Sequence, residues 1–200
     1  MTMLDERPAP MSQSVARRAM IDSQLRVSGV NDPAVLAAFG KVARENFVPR
    51  AVKANAYIDR ALPLDSGHSL AAPLVQGRML MEAAPVAGEK VLVVSAGGYL
   101  AALIKHMGCD VALLSPADAA ARKKGGPYSL ILIDGAAEQL PAGIAVMLAD
   151  NGRIVTGVVE RGVTRLAVGR KSAGAIALLP VAEIGMPVLA EFAATQRWSF

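Results

Sequence analysis

Three short apolar runs constrain the fold of this chain more than any other feature. They cover residues 91–94, 111–114 and 130–133, and each is continuous rather than alternating with polar residues. Continuous runs of this length are typical of strands that are buried on both faces, as in parallel sheets covered by helices. Residues 99–107 are long enough for a crossover helix, so residues 90–115 indicate a β-α-β unit. The runs therefore predict an α/β fold with a mostly parallel central sheet.

Turn and capping signals predict the remaining elements. Three further strands, some of them antiparallel across turns at Gly162 and Gly174, are expected at residues 152–158, 165–169 and 176–179. Three helices are predicted in the N-terminal half, and they begin at Ser12 or Ser14, at Asp32 and at Pro73. Between the last two helices, residues 41–70 form a long irregular stretch, and a loop of that length favours a functional role.

Length and composition are typical of one globular domain. The chain has 200 residues, of which 53% are hydrophobic and 19% are charged, and a chain of this size builds a core without disulfides. We expect a flexible tail over residues 1–11 and a single domain over residues 12–200. Within that domain, residues 12–89 form a helical and substrate region, and residues 90–200 form the sheet core.

The same composition disfavours several functions. No uncharged apolar run reaches the roughly 18 residues that cross a bilayer, and the first ten residues do not resemble a signal peptide, so we expect a cytoplasmic protein with no membrane partner. Cys109 is interpreted as a small buried residue because it lies in an apolar stretch. The net charge of +4 comes from scattered residues, the densest being Arg17-Arg18 and residues 122–124. We interpret these as solvated surface and expect no nucleic-acid partner.

The segment after the first run, Ser95-Ala96-Gly97-Gly98-Tyr99, marks a candidate ligand site. Open α/β sheets bind ligands at the carboxyl ends of their strands, where glycines let the backbone approach a ligand closely. An acidic residue at the end of the second strand normally holds the ribose hydroxyls of a nucleotide-like cofactor. Adjacent glycines are also ordinary where a helix packs tightly on a sheet, so both interpretations stay open here.

Several segments follow a specific pattern in a fixed order. They are residues 20–30 (MIDSQLRVSGV), 42–49 (VARENFVP), 56–59 (AYID), 62–64 (LPL), 91–92, 127–133 and 152–155 (GRIV). In this order and spacing, the chain resembles the protein-L-isoaspartate O-methyltransferases over residues 19–170. The resemblance implies a Rossmann-like three-layer sandwich with S-adenosylmethionine (SAM) as the cofactor.

The resemblance also implies a repair reaction on isoaspartyl-containing proteins or peptides. In the family, the side-chain carboxylate of an isoaspartyl residue attacks the SAM methyl group, and the ester then collapses through a succinimide. The nucleophile is already an anion and the methyl donor is a sulfonium, so the enzyme mainly aligns the two in a dry site.

The substrate loop departs from the family pattern at a functional position. The family reads Gly-Gln-Thr-Ile-Ser-Gln/Ala-Pro where this chain has residues 67–73 (GHSLAAP). The resemblance places His68 in the substrate region and makes Ser69 the candidate catalytic residue, because Ser69 stands in for the Thr hydroxyl. Ala71 takes the place of the functional Ser. Two further residues match a substrate-region motif, Tyr57 and Asp59, although Tyr57 alternatively packs against the sheet edge.

The cofactor region departs further. The family pattern Val-Leu-Glu-Ile-Gly-Thr-Gly-Ser-Gly-Tyr corresponds to residues 91–99, which are one residue shorter and have Val93 in place of the Glu. The ribose-binding acid corresponds to Ser115. Residues 116–126 are too few for the family's next helix and strand, so we predict that this unit is missing. The candidate cofactor-binding residues are Ser95, Gly97, Gly98, Tyr99, Ser115 and Asp134.

These departures predict a divergent homologue with an eroded cofactor site and weak or absent activity, since the lost contacts weaken SAM binding by a factor on the order of 10³. The alternatives are an active methyltransferase with non-standard SAM contacts and a non-catalytic protein-binding module. A homodimer on the surface left by the missing strand is a further hypothesis. Asp65, His68 and Asp134 suggest a hydrolytic or metal site, against the simpler interpretation of a turn and a solvated histidine, and we expect no metal.

Overall fold

A six-stranded sheet and a two-stranded hairpin organise residues 12–194, the part of the chain that the computed structural model describes. The hairpin pairs β1 (Leu62–Pro63) with β2 (Ser69–Leu70). The strands of the sheet are β3 (Lys90–Val94), β4 (Asp110–Leu114), β5 (Tyr128–Ala137), β6 (Leu148–Glu160), β7 (Val163–Ser172) and β8 (Ala175–Glu183). Their order is β4-β3-β5-β6-β7-β8, and the first four are parallel while β7 and β8 are antiparallel to their neighbours. The predicted mostly parallel α/β fold is confirmed.

Helices cover both faces of this sheet. They are α1 (Gln13–Met20), α2 (Pro33–Lys41), α3 (Pro73–Ala83), α4 (Tyr99–His106), α5 (Pro116–Ala121) and α6 (Ala142–Met147). The sequence predicts the first four but not α5 and α6. These two helices are only six residues long, which is too short to show the hydrophobic periodicity of a helix. The last three strands also extend beyond the predicted stretches.

Local sequence explains where the helices begin. The Asp32 carboxylate accepts hydrogen bonds from the backbone N–H groups of Ala34 and Val35, both at 2.9 Å, which satisfies two amides that have no partner inside α2. Ser12, rather than Ser14, caps α1. The first helical segment continues through a π turn and a 3-10 turn to Gly29, whose φ of 85° ends it as predicted.

The buried strands alternate between two cores. On β3, Val91 and Val93 face the core beneath α1 to α4, whereas Leu92 and Val94 face the core beneath α5 and α6. All four side chains are fully buried, and each contributes about 1.5–3 kcal/mol to stability. Because both faces are covered, no position in the run accepts a polar residue. This is the three-layer arrangement that the resemblance implies.

Strand β4 lies at the edge of the sheet. Residues 116–126 supply only α5 and a loop, and β5 then returns beside β3 on the side away from β4. Within residues 12–194, no strand pairs with the outer side of β4, and Leu113 on this strand is 50% exposed. The loss of the strand of the predicted missing unit is therefore confirmed, but the six-residue helix α5 forms where the unit's helix was also expected to be absent.

The prediction that Arg17 is solvated surface is wrong. Its guanidinium donates to the Tyr57 hydroxyl at 2.7 Å and to the Glu45 carboxylate at 3.1 Å, and the Arg17 side chain is only 18% exposed. These bonds fasten α1 to the irregular stretch at residues 41–70. The neighbouring Arg18 does remain exposed, as expected for a residue on the outer face of the same helix.

Three smaller expectations have different outcomes. Cys109 is buried, and its thiol donates to the Val86 carbonyl at 3.2 Å, as its apolar surroundings predict. The expected flexible tail at residues 1–11 lies outside the described residues. Over residues 12–194, the helices are too short or too polar to cross a membrane.

An arginine clamp holds α3 against the amino edge of the sheet. Arg153 on β6 donates to both oxygens of Glu89, at 2.7 and 2.8 Å, and to the carbonyls of Ala83 and Ala84 at the end of α3. These two carbonyls lack partners inside the helix, so the clamp also completes the helix end. Burial opposes ionisation of Glu89, but the hydrogen bonds from Arg153, Val86 and Ser129 outweigh it and lower the Glu89 pKa.

We expect E89Q to lower the free energy of unfolding by about 1.5–3 kcal/mol at pH 7, because it removes a charge-assisted pair. A lowered folded-state pKa stabilises the protein above the unfolded-state pKa, and this contribution is lost as the pH falls through the folded-state value. The difference between the wild type and E89Q therefore shrinks below about pH 4. Urea denaturation at several pH values measures it, with E82Q on the exposed side of α3 as the control. Equal stability of E89Q and the wild type at pH 7 would contradict the clamp.

Candidate functional site

The carboxyl ends of β3, β4 and β5 meet at one edge of the sheet. The register pairs Val94 with Leu114 on one side and with Ile133 on the other, so Ser95 and Ser115, which follow β3 and β4, lie level with Asp134. The sequence predicts that the third strand ends before Asp134, but β5 continues to Ala137. The chain leaves β3 toward β4 and returns through β5 toward β6, which makes the crevice between β3 and β5 the topological switch point. Ligands of open α/β sheets bind at this point.

Asp134 is turned into the protein rather than toward solvent. Its Oδ2 accepts hydrogen bonds from the Ser95 hydroxyl and from the Gln76 amide, both at 2.9 Å, and the Ser95 hydroxyl in turn accepts from the Gly98 amide at 3.2 Å. Asp134 is 5% exposed, and burial raises its pKa although the bonds from Ser95 and Gln76 oppose this. Asp134 thus ties the glycine turn to α3.

The buried guanidinium of Arg44 extends this network into the irregular stretch. It donates to the Gln76 side-chain oxygen at 2.7 Å, to the Ala56 carbonyl at 2.8 Å and to the Ala71 carbonyl at 2.6 Å. Arg44 has no exposed surface, and burial lowers its pKa. It also lies 5.1 Å from the ring centroid of Tyr99, a cation–π distance. Arg44 therefore connects the candidate substrate segments to the sheet edge.

The glycine turn itself is covered by the hairpin. Gly98 has a φ of 71°, a conformation that suits glycine, and it caps α4. A Cβ on Gly97 would lie 3.1 Å from the Leu70 side chain and 3.2 Å from that of Leu64, so these leucines occupy the space above the turn. Tyr99 is fully buried between Phe39 and other core residues, and it lines no open cleft in this conformation.

Ser115 is committed to a local structural role. Its hydroxyl accepts a hydrogen bond from the Asp118 amide at 3.1 Å and donates to the Asp118 carboxylate at 2.7 Å, which caps α5. The family's ribose-binding acid corresponds to this residue. The side chain that was expected to bind a cofactor therefore accepts a hydrogen bond from a backbone amide of α5, the helix that replaces the missing unit.

The substrate-region residues do not form one cluster. Ser69 is half-buried in β2 and Ala71 is fully buried, whereas Asp59 is exposed. Tyr57 is buried, donates to Glu45 and accepts from Arg17, and burial together with the Glu45 hydrogen bond raises its pKa to about 12. Tyr57 therefore fastens α1 rather than packing against the sheet edge.

His68 is not a solvated loop residue. Its Nε2 lies 2.8 Å from the Glu191 carboxylate, and its Nδ1 lies 3.3 Å from the Ser66 hydroxyl. Asp134 has the separate partners described above, and Asp65 is exposed. Residues 12–194 contain no group of three side chains suited to holding a metal ion.

A cavity of about 380 Å³ lies beside the glycine turn. Its walls come from three segments, which are residues 46–49, 64–66 and 96–97. The cavity thus borders both the hairpin and the turn, and its volume is within the range of small-molecule sites. Neither Ser115 nor Asp134 contributes to its walls.

Sequence reasoning missed three residues of this region, Arg44, Gln76 and Glu191. Arg44 and Gln76 are polar residues that normally face solvent, and only a fold that surrounds them with carbonyl and amide groups buries them. Glu191 pairs with His68 across 123 residues of sequence. The position of Arg44 within the VARENFVP segment that carries the resemblance was the one available signal, and it does not identify a partner.

We expect D134N to remove a pH dependence of stability. Because burial raises the folded-state pKa of Asp134, the folded protein binds this proton more tightly than the unfolded chain, so stability rises as the pH falls toward the unfolded-state pKa. The free energy of unfolding of the wild type relative to D134N should therefore increase as the pH falls through the raised folded-state pKa toward the unfolded-state value of about 3.9, with a slope of at most about 1.4 kcal/mol per pH unit. Urea denaturation measures it, with exposed D110N as the control. A difference that is constant across this range would contradict the buried carboxyl.

Comparison with known proteins identifies the family to which the chain is similar. The family model described as protein-L-isoaspartate(D-aspartate) O-methyltransferase matches residues 16–115. The chain is similar to the protein-L-isoaspartate O-methyltransferase of Methylorubrum populi, at 34% identity over 165 residues that cover 70% of this chain and 78% of the relative. It is also similar to protein-L-isoaspartate O-methyltransferase 2 of an Anaeromyxobacter species, at 33% identity over 75% of this chain and 71% of the relative.

A solved structure shows the same fold. It is a protein-L-isoaspartate O-methyltransferase from Plasmodium falciparum in complex with S-adenosyl-L-homocysteine, with a TM-score of 0.70 at 17% identity over 90% of this chain and 99% of that one. This likeness shows the fold, and the sequence match rests on the family model and the relatives above. This chain therefore belongs to the protein-L-isoaspartate O-methyltransferase family.

Proposed function

We propose that this chain is a divergent protein-L-isoaspartate O-methyltransferase homologue in which methyl transfer from SAM to isoaspartyl carboxylates is weak or absent. The observation that carries the proposal is how the polar side chains at the carboxyl edge of the sheet are hydrogen-bonded. The hydroxyls of Ser95 and Ser115 and Oδ2 of Asp134 are engaged in hydrogen bonds inside the protein, whereas the buried Oδ1 of Asp134 has no partner among the described residues. A ligand at the switch point would compete with these bonds, and among these side-chain atoms only the buried Asp134 Oδ1 is without a partner in residues 12–194.

The residues present do not fit a tightly held SAM molecule. A cofactor of this type needs an acceptor for its ribose hydroxyls, and Ser115 offers one hydroxyl that is already engaged with Asp118. It also needs open backbone at the glycine turn, where Leu64 and Leu70 lie against Gly97. A charge-assisted hydrogen bond contributes about 1.5–3 kcal/mol, so losing two acids weakens binding by a factor on the order of 10³.

An active methyltransferase with non-standard SAM contacts is the second candidate, and the cavity beside the turn favours it. Its volume of about 380 Å³ is sufficient for a cofactor-sized ligand, and residues 96–97 form part of its wall. In that case the chemistry is modest, because a carboxylate attacks a sulfonium methyl group and the protein contributes alignment and exclusion of water. A non-catalytic protein-binding module is the third candidate.

The partners follow from the same proposal. Isoaspartyl-containing proteins or peptides are the proposed ligands on the substrate side, and the residues proposed for that side are Tyr57, Asp59, His68 and Ser69. A homodimer through the exposed edge of β4 and Leu113 stays a prediction, as does a cytoplasmic location. Light scattering that shows a strict monomer at high concentration would argue against the dimer.

Calorimetric titration with SAM and with S-adenosylhomocysteine tests the proposal. We expect no saturable binding below millimolar cofactor and no methylation of an isoaspartyl hexapeptide above background. S115D returns an acid to the end of β4, and we expect it to tighten cofactor binding by about tenfold, whereas S115A serves as the control that loses the cap without gaining an acid. Micromolar binding with turnover by the wild type would replace the proposal by the active methyltransferase.

A further inference from the structure

Residues 186–194, which we call the strap, cross the carboxyl edge of the sheet. The amide of Ala136 donates to the Pro187 carbonyl at 2.8 Å, and the Leu189 amide donates to the Ala136 carbonyl at 2.9 Å. Farther along, the Phe192 carbonyl accepts from the amides of Glu138 and Gln139. The Phe192 side chain is 1% exposed and belongs to the core beneath α5 and α6, so the strap is anchored at both ends of this crossing.

The strap lies at the switch point described above. Ala136 pairs with Gly157 of β6 on one side and with Val188 of the strap on the other. That other side of β5 is occupied by β3 only as far as Val94, which pairs with Ile133. The strap therefore pairs with β5 on the side that β3 occupies farther down, just beyond the point where β3 ends and the glycine turn begins.

One polar contact joins the strap to the substrate hairpin. Nε2 of His68 and Oε1 of Glu191 are 2.8 Å apart, and the two side chains are 24% and 23% exposed. Since a carboxylate only accepts hydrogen bonds, Nε2 of His68 is the donor of the hydrogen bond to an ionised Glu191. Ser66 holds the other ring nitrogen, so the imidazole presents a directed donor to a carboxylate.

The Glu191 carboxylate is poorly satisfied in this position. Its second oxygen, Oε2, is buried and has no hydrogen-bond partner among the described residues. Leaving a buried carboxylate oxygen without a donor is unfavourable, which makes the contact easy to exchange. By contrast, the backbone anchors of the strap do not involve the Glu191 side chain, so this side chain can leave His68 without detaching the strap.

We propose that His68 is a carboxylate-binding position for an acidic peptide, and that Glu191 of the strap occupies it in cis. The hairpin that carries His68 also forms a wall of the cavity through residues 64–66 and packs on the glycine turn through Leu64 and Leu70. A peptide carboxylate that displaces Glu191 is therefore held by the element that borders the turn. The carboxylate chemistry follows from the His68 geometry, whereas the choice of an isoaspartyl carboxylate rests on the proposed function.

The experiment follows the His68 imidazole by proton NMR during titration with a synthetic hexapeptide that contains one isoaspartyl residue. The chain has two histidines, so H68Q assigns the His68 signal, and exposed His106 is the internal reference. In E191A the position is vacated, and we expect a saturable shift of the His68 signal at a peptide concentration about tenfold lower than in the wild type. E183A removes a carboxylate from β8 and is the matched control, which should titrate like the wild type.

Three results would overturn the proposal. They are no saturable shift of His68 in folded E191A and E191Q, an equal shift with the hexapeptide that has Asn in place of the isoaspartyl residue, and an equal gain in E183A. An ordinary Asp hexapeptide that binds as well as the isoaspartyl one supports the carboxylate position and contradicts only the isoaspartyl preference. The readout needs neither SAM nor turnover, so a failure to bind S-adenosylhomocysteine leaves it unaffected and the two proposals are judged separately.

Discussion

The burial of the Arg44 guanidinium is the constraint on which the arrangement of the candidate site depends. A guanidinium withdrawn from water needs acceptors for its donors, and the fold supplies the carbonyls of Ala56 and Ala71 and the side-chain oxygen of Gln76. Meeting that demand draws the irregular stretch onto α3 and orients the Gln76 amide toward Asp134. The Arg44 guanidinium thus fixes the positions of the glycine turn, the β1-β2 hairpin and the carboxyl end of β5 relative to one another.

The same network explains why the carboxyl edge is a poor host for a cofactor. Asp134 on β5 accepts hydrogen bonds from its neighbours in the protein through Oδ2, and its other oxygen, Oδ1, is buried. The Ser115 hydroxyl likewise accepts a hydrogen bond inside the protein, because the short α5 that replaces a longer unit begins at this residue and needs a cap. Loss of the third strand and loss of the ribose acceptor are therefore connected through one helix end rather than being independent changes.

Much of the framework could be predicted from the sequence because its signals are local. The continuous runs at residues 91–94 and 130–133 identify strands covered on both faces, and Asp32 followed by Pro33 marks a helix start that needs only its next three residues. Residues 116–126 are too few for both a helix and a strand, so the loss of the full unit is predicted from length alone. The family motifs identify the substrate loop and the glycine turn as the regions of interest, although they do not show how Tyr57 and His68 are used.

The sequence by itself determined the layered fold, the starts of α2, α3 and α4, the missing third strand and the family of the chain. Only the tertiary structure decided that Arg44 and Gln76 are buried, that Tyr57 fastens α1, and that His68 meets Glu191 across 123 residues. The physical reason is that capping, turns and strand burial depend on neighbours a few residues away. Satisfaction of buried polar groups depends instead on which distant segments packing brings within hydrogen-bond distance.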